Sequence, residues 1–553
     1  MRHAWRRRGR LFGASVCALG ALAACNSRKV QKPYCEITGQ QSQIFEPVSR
    51  KVDLLFLIDD SSSTERKQEN IICNFPKLVD TLERIPGGLP DLHVGVVSSN
   101  MGSGTFTLSN CDSKDGAFQA APHPVRIDCS QYGGAPLDTT GCTGPAGRGY
   151  IDYRSSADNN VGGQPLATAF SCVAALGSKG CGFEQPLQAV ARSLERSKDP
   201  KDAVNAGFLR DDALLVVVVL TDEDDCSLPA DSWLADRRDG EGISSPLGPL
   251  EFRCTDRGFL CGGQHPPRNG AGQPLACQPD DGAFIDDPKH ALLPVADLVR
   301  RVKAVKPDRT IVEAIAGPAP PDGEFKVVQR VDPMTGASSP ALGPSCTGGP
   351  GIGDGAPAVR VQRFLEAFDS QKRIVNICQR SFAASLDSIA RLIEKGLKPC
   401  LQARPLDRQG LVARRAADAD CQVADVQVGS GGPDCRIPLP RCGEGALTPP
   451  GCARDLPARH AEACFFLEQG ALDEHGKPLC EATDFAVRVC RGGYDAQGKR
   501  CQDRAGEAPP ASTVRVACAS CTPTNGGVEC VGDGIDNDCD GNIDDKGEPC
   551  ECS

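Results

Sequence analysis

Two clusters of small oxygen-bearing side chains stand at the ends of apolar runs, and their types suit a hard cation. The first is Asp59-x-Ser61-x-Ser63, which closes the run from Val52 to Ile58. The second is Thr221-Asp222-Glu223-Asp224, which closes the run from Ala213 to Leu220. Carboxylates and hydroxyls are the ligands that Mg2+ and Ca2+ prefer. Open α/β sheets collect ligands at the carboxyl ends of strands, where a strand hands over to a helix. Asp59, Ser61, Ser63 and Asp222 are therefore candidate ligands of one divalent-ion site. A plainer role is also open, since Asp and Ser are favoured helix N-caps and the acids after Leu220 could begin a solvent-facing loop.

A third cluster lies near the C-terminus. Asp536, Asp538 and Asp540 alternate, Gly541 permits a sharp turn, and Asn542, Ile543 and Asp544 follow. This spacing reproduces positions one, three, five, six and nine of an EF-hand calcium loop. The bidentate Glu of position twelve is missing: Gly547 stands there and Glu548 is one residue late. The stretch also resembles the Asp-Asn-Asp-Cys-Asp-Gly metal-binding repeats of secreted bacterial proteins, particularly myxobacterial ones. A Ca2+ loop built from Asp536, Asp538, Asp540, Asn542 and Asp544 is expected, the alternative being a solvated acidic tail.

The elements that must position the first two clusters can be read from hydrophobic period. Val52 to Ile58, Ala213 to Leu220 and Thr310 to Ala316 read as strands covered on both faces, and no polar residue breaks the second of them. Leu92 to Ser98 and Ile374 to Ile377 read as further strands. Helical stripes alternate with them. Ile71, Ile72, Phe75, Val79 and Leu82 mark one, which Pro76 is expected to kink or divide. Others cover Leu166 to Leu176, Leu187 to Leu194, Leu292 to Val305, Val359 to Phe368 and Phe382 to Ile393.

This alternation predicts an α/β domain over residues 51–400: a doubly wound, mostly parallel sheet with helices on both faces. Cysteine-containing insertions are expected near 100–165, 227–288 and 317–357. Residues 401–520 read as a disulfide-rich, irregular or β module without a functional signal, and 521–553 as the acidic tail.

Two oxygen-rich loops in this order, on strands of this kind, resemble the von Willebrand factor A family. Its metal-ion-dependent adhesion site uses Asp-x-Ser-x-Ser after the first strand and Thr-Asp after the fourth. The resemblance implies that Ser61 and Ser63 bind the ion directly, and that Asp59 and Asp222 bind directly or through water. It implies Mg2+, or else Ca2+ or Mn2+, with an open position for an acidic side chain of a protein partner. The family's threonine from a third loop has no counterpart here. Gly180-Cys181-Gly182-Phe183-Glu184 carries no hydroxyl, so Glu184 is the substitute candidate.

Charge and cysteine usage set the compartment. Arg2, Arg6, Arg7, Arg8 and Arg10 precede an uncharged stretch from Leu11 to Ala24, which suits a secretory signal and is too short for a spanning helix. Leu22-Ala23-Ala24-Cys25 resembles the bacterial lipobox, implying cleavage after residue 24 and lipidation of Cys25. Asn26 rather than Asp follows, so an outer-membrane anchor is expected, with 25–50 as a tether. Losing five arginines and no acids takes the net charge from −11 to −16. Such a surface argues against nucleic acid as a partner. Of the 30 cysteines, 28 remain once Cys17 and Cys25 are set aside, an even number that suits a disulfide-permissive compartment. No Gly-x-Ser-x-Gly, Gly-Lys-Ser/Thr or His-Glu-x-x-His stretch occurs, so catalysis is not expected.

Overall fold

The computed structural model describes residues 40–44, residues 50–397 apart from short internal stretches, and the strands and turns of 401–519. Cys25 and the loop from Asp536 to Asp544 lie outside the described residues. Among the described residues, no helix is long and apolar enough to cross a membrane.

A six-stranded sheet organises the chain. Its strands are β1 (Lys51–Ile58), β2 (Asp91–Ser98), β3 (Ile151–Tyr153), β4 (Leu214–Leu220), β5 (Thr310–Ala316) and β6 (Val375–Asn376). The order across the sheet is β6-β5-β4-β1-β2-β3. Every pairing is parallel except β2 with β3, which is antiparallel. The strand order turns between β1 and β4: β2 and β3 lie to one side of that seam, β5 and β6 to the other. A crevice opens at such a switch point, outside the carboxyl ends of the strands.

Strand alternation divides the core in two. Val52, Leu54, Phe56 and Ile58 pack with α1 (Glu65–Glu83), α2 (Leu166–Ala174) and α6 (Ala383–Leu397). Leu55 and Leu57 pack with α3 (Pro186–Lys198), α4 (Val295–Val305) and α5 (Val359–Leu365). All seven residues of β4 are buried, as an apolar run covered on both sides requires.

Three expectations change. First, Pro76 does not divide α1, which continues through it as one helix. A proline inside a helix costs about 3 kcal/mol, whereas each fully buried Leu, Ile or Phe contributes about 1.5–3 kcal/mol. Ile71, Ile72, Phe75, Leu78 and Leu82 are all buried on the same sheet face, and the Cys73–Cys129 disulfide holds the helix midway.

Second, the first insertion supplies β3, an edge strand too short to give a period. The cysteines of that insertion bind it outward to the frame, as Cys73–Cys129, Cys111–Cys181 and Cys142–Cys172.

Third, part of the expected tether is structured. Gln40–Ile44 pairs antiparallel with Ser512–Ala519, in a four-stranded sheet with Cys421–Gln427 and Cys435–Leu439. Its polar sequence shows no apolar alternation; an unpaired strand edge recruits it through backbone hydrogen bonds. In the same region Cys464–Gln469 and Phe485–Cys490 form a hairpin, and Cys421–Cys518 and Cys442–Cys464 are bridged. The disulfide-rich β character of 401–520 is thus present.

Candidate functional site

Asp59 leaves β1 buried, its N–H donating to Leu220 O at 3.0 Å, so the ends of β1 and β4 are joined by backbone as well as by side chains. Asp59 Oδ1 accepts from the Ser61 N–H at 2.9 Å and the Ser99 hydroxyl at 3.2 Å, and Oδ2 accepts from the Thr221 hydroxyl at 2.9 Å. Both oxygens are thus already engaged, which suits a carboxylate reaching an ion through water rather than directly. The loop is held from behind. The Thr64 hydroxyl lies 2.8 Å from Asp59 O, and Gln68 Nε2 donates to the same oxygen at 2.7 Å.

The two loops meet at Ser63. Its hydroxyl donates to Asp222 Oδ1 at 3.1 Å, and Ser61 Oγ lies 3.4 Å from Ser63 Oγ. Ligands around an octahedral Mg2+ at about 2.0–2.1 Å stand roughly 3 Å from one another. Ser63 Oγ therefore stands from each of the other two oxygens at about the spacing of neighbours on one small cation, and hydroxyl and carboxylate are the donors it takes. Asp59, Ser61 and Asp222 are buried, while Ser63 faces solvent.

The third loop closes over this cluster. Gly180 N–H donates to Asp60 O at 2.6 Å, Gln185 N–H to Ser99 O at 3.0 Å, and Cys226 N–H to Glu184 O at 2.7 Å. A Cβ at Gly180 would lie 2.3 Å from Asp60 Oδ1 and 2.6 Å from Asp60 O, so no side chain fits there. The Cys111–Cys181 disulfide fixes the next residue. Glu184 itself is buried and lies within electrostatic reach of Glu223, Asp59 and Asp222. The structure thus brings Asp59, Ser61, Ser63, Asp222 and Glu184 together.

The carboxylates of the cluster raise one another. Burial, reinforced by Asp222, pushes the Asp59 carboxyl up to about 7 despite its hydrogen bonds to Ser61 and Thr221. Burial likewise pushes Glu184 well above the usual carboxylate range, with Glu223 and Asp59 adding to it. Crowded carboxylates that resist ionisation are the condition a cation relieves.

Sequence reasoning missed one member, Lys67. Its Nζ donates to Asp222 Oδ2 at 2.7 Å and to Ser63 O at 3.2 Å, and the side chains of Lys67 and Asp222 are 2 % and 3 % exposed. The signal was available. Lys67 follows Ser63 by four residues, so the first turn of α1 carries its side chain back toward the serine loop. The third insertion covers it: a Cβ at Gly353 would lie 2.8 Å from Lys67 Nζ, and Ala356 N–H donates to Asp222 O at 2.8 Å.

Glu223 stays within electrostatic reach of Asp222 and Asp59, whereas Asp224 and Asp225 turn away. Asp224 accepts from the N–H groups of Arg360 and Val361 at the start of α5, and Asp225 pairs with Arg360 at 3.1 Å, both side chains fully buried. At the opposite edge of the sheet Asp91, His93 and Asp152 gather metal-type ligands. There Arg210 pairs with Asp53 and Asp91, and His93 Nδ1 donates to Phe208 O at 2.8 Å, so the charges are met from within the chain. Of the grouped cysteines Cys442, Cys464 and Cys490, the first two are joined in a disulfide and cannot serve as thiolates.

No model of a known protein family matches the chain. No curated protein matches it either. The geometry of the sheet edge therefore carries the functional argument.

Proposed function

We propose that this is a lipid-anchored protein of the cell envelope, held in the outer membrane through Cys25, whose α/β domain binds a protein partner through a divalent ion. The domain is read as a doubly wound sheet of the von Willebrand factor A type. Asp59, Ser61, Ser63 and Asp222, backed by Glu184, would hold Mg2+, or Ca2+ or Mn2+ in its place. The ion would supply a coordination position for an acidic side chain of the partner. Exposed Ser63 marks the side from which that side chain enters. Asp536, Asp538, Asp540, Asn542 and Asp544 would form a separate Ca2+ loop. No catalytic role is assigned.

One observation carries this reading: the contact of Ser63 Oγ with Asp222 Oδ1 at 3.1 Å, beside Ser61 Oγ, at the strand-order switch between β1 and β4. Calorimetric titration of the mature chain with Mg2+ and Mn2+ tests it. Binding is expected, and Asp59→Ala is expected to weaken it at least about tenfold. Identical titrations of the two proteins, with no shift in melting temperature, would remove the mechanism.

Lys67 favours a second reading, a structural envelope lipoprotein whose site needs no metal. Its ammonium already neutralises one carboxylate of the cluster. On that reading neither ion produces heat or stabilisation at this site.

A further inference from the structure

The geometry points to Lys67 as a cation built into the chain, seated on Asp222 and exchangeable for a divalent ion. This rests on the reading that the serine and aspartate oxygens hold such an ion, and it adds what must leave before the ion binds.

Lysine is almost never fully buried unless paired, and a positive charge in the first turn of a helix opposes the helix dipole. Lys67 meets the first condition only through Asp222, and it goes against the second. It is the third residue of α1 and 2 % exposed. What compensates is the same oxygen cluster that a metal would use. Asp222 Oδ2 and Ser63 O take the ammonium, while Asp222 Oδ1 takes the Ser63 hydroxyl. One carboxylate therefore faces both the cation that is present and the oxygens suited to a divalent ion. The two charges cannot share it without strong repulsion, because buried like charges a few ångströms apart are poorly screened.

The choice of lysine fits exchange. A flexible four-carbon stem with a point charge can swing away, whereas a guanidinium is preorganised for permanent bidentate pairing. The chain uses both devices within one loop: Lys67 on Asp222 and Arg360 on Asp225. Only the first pair adjoins the exposed Ser63 side. The ammonium keeps the carboxylate compensated when no metal is bound, and it raises the concentration of divalent ion needed to fill the site.

The test is Mn2+ binding to the mature full chain, followed by calorimetry and by loss of the free-ion paramagnetic signal. Wild type, Lys67→Met and Lys67→Gln are compared, and the double variant Lys67→Met/Asp222→Ala supplies the background from the acidic tail. Both single variants are expected to bind Mn2+ at least tenfold more tightly than wild type. Each is expected to melt at a lower temperature without metal and to recover on saturation with Mn2+. Lys67→Gln retains an N–H donor for Asp222, so it reports even where Lys67→Met fails to fold. Equal affinities in wild type and variants overturn the exchange while leaving the cation site intact. Binding no greater than background in all three overturns both. Variants that unfold and do not recover with Mn2+ make Lys67 purely structural and overturn the exchange.

Discussion

Ser63 and Asp222 are 159 positions apart in the chain, yet the serine hydroxyl donates to the carboxylate at 3.1 Å. The contact exists because β1 and β4 are adjacent and parallel, with Ile58 level with Leu220. Loops leaving two such strand ends are delivered to one place. Ser63→Ala removes a candidate ligand from an exposed position, so the fold should lose no more than about 0.5 kcal/mol. Mn2+ affinity at the site should fall roughly tenfold or more, about 1.4 kcal/mol. Unchanged affinity, measured by titration beside urea unfolding, would take Ser63 out of the ligand set.

The third loop makes a sharper steric claim. Alanine at 180 would set its Cβ 2.3 Å from Asp60 Oδ1 and 2.6 Å from the Asp60 carbonyl, part of which is backbone and cannot step aside. Overpacking of this kind costs about 1–3 kcal/mol. Gly182, two residues on, has nothing within 4 Å of such a Cβ. Gly180→Ala should therefore lower the urea midpoint clearly, and Gly182→Ala should leave it nearly unchanged. Equal effects would mean that the loop does not pass over Asp60 as described.

How much of this was legible beforehand follows from what each signal measures. Leu214–Leu220 announces itself as a strand covered on both faces because no polar residue breaks it, and Lys51–Ile58 is legible from the apolar residues Leu54 to Ile58. The order of the two acidic loops followed from those runs. Ile151–Tyr153 is too short to show a period, and Gln40–Ile44 is polar in sequence without apolar alternation, so neither could be read from residue types. Pro76 does not divide α1, because burial of the helix's apolar face outweighs local propensity. Lys67 escaped for a chemical reason: oxygen donors suggest a bound ion, and a lysine is not such a donor although it brings a positive charge to the same oxygens. The roles of Asp222 and Asp225 could not be separated in sequence, since adjacent acids look alike until the groups facing them are known.

Acid should weaken the opposite edge of the sheet. Burial, with the neighbouring Arg210, lowers His93 to about 4, whereas Asp152 and Asp91 pull the other way. The folded protein thus keeps His93 neutral where the unfolded chain would charge it, near the ordinary histidine value of 6.5. Stability from this group is present above about pH 6.5 and is lost as the pH falls toward 4. Asp53, raised to about 6 chiefly by burial, has the opposite sign: its contribution is present at low pH and is lost as the pH rises through 6. The comparison that isolates His93 is therefore wild type against His93→Gln at pH 7 and pH 5. Wild type should lose more of its urea midpoint between them. A steeper loss in the variant would reverse the assignment.

Arg360 and Asp225 provide the counterpart to Lys67 and Asp222. Arg360 Nε donates to Asp225 Oδ2 at 3.1 Å and Nη2 to Leu293 O at 2.6 Å, while Asp225 Oδ1 accepts from the Leu187 N–H at 3.0 Å and the Ser227 hydroxyl at 2.6 Å. This carboxylate pins the start of α3 and the loop before α4 to α5, so its partner is part of the scaffold. Arg360→Met leaves a buried carboxylate without its cation, and breaking such a pair costs about 3–5 kcal/mol. No ion should repair it, because both oxygens of Asp225 keep hydrogen-bond donors from the chain, the Leu187 and Ser227 N–H groups and the Ser227 hydroxyl. Thermal unfolding with and without Mn2+ separates the two pairs. The deficit of Lys67→Met should close with the ion and that of Arg360→Met should persist. If Mn2+ restored both alike, the rescue would be general stabilisation, and the division of the acidic run into a cation-binding half and a scaffolding half would fall.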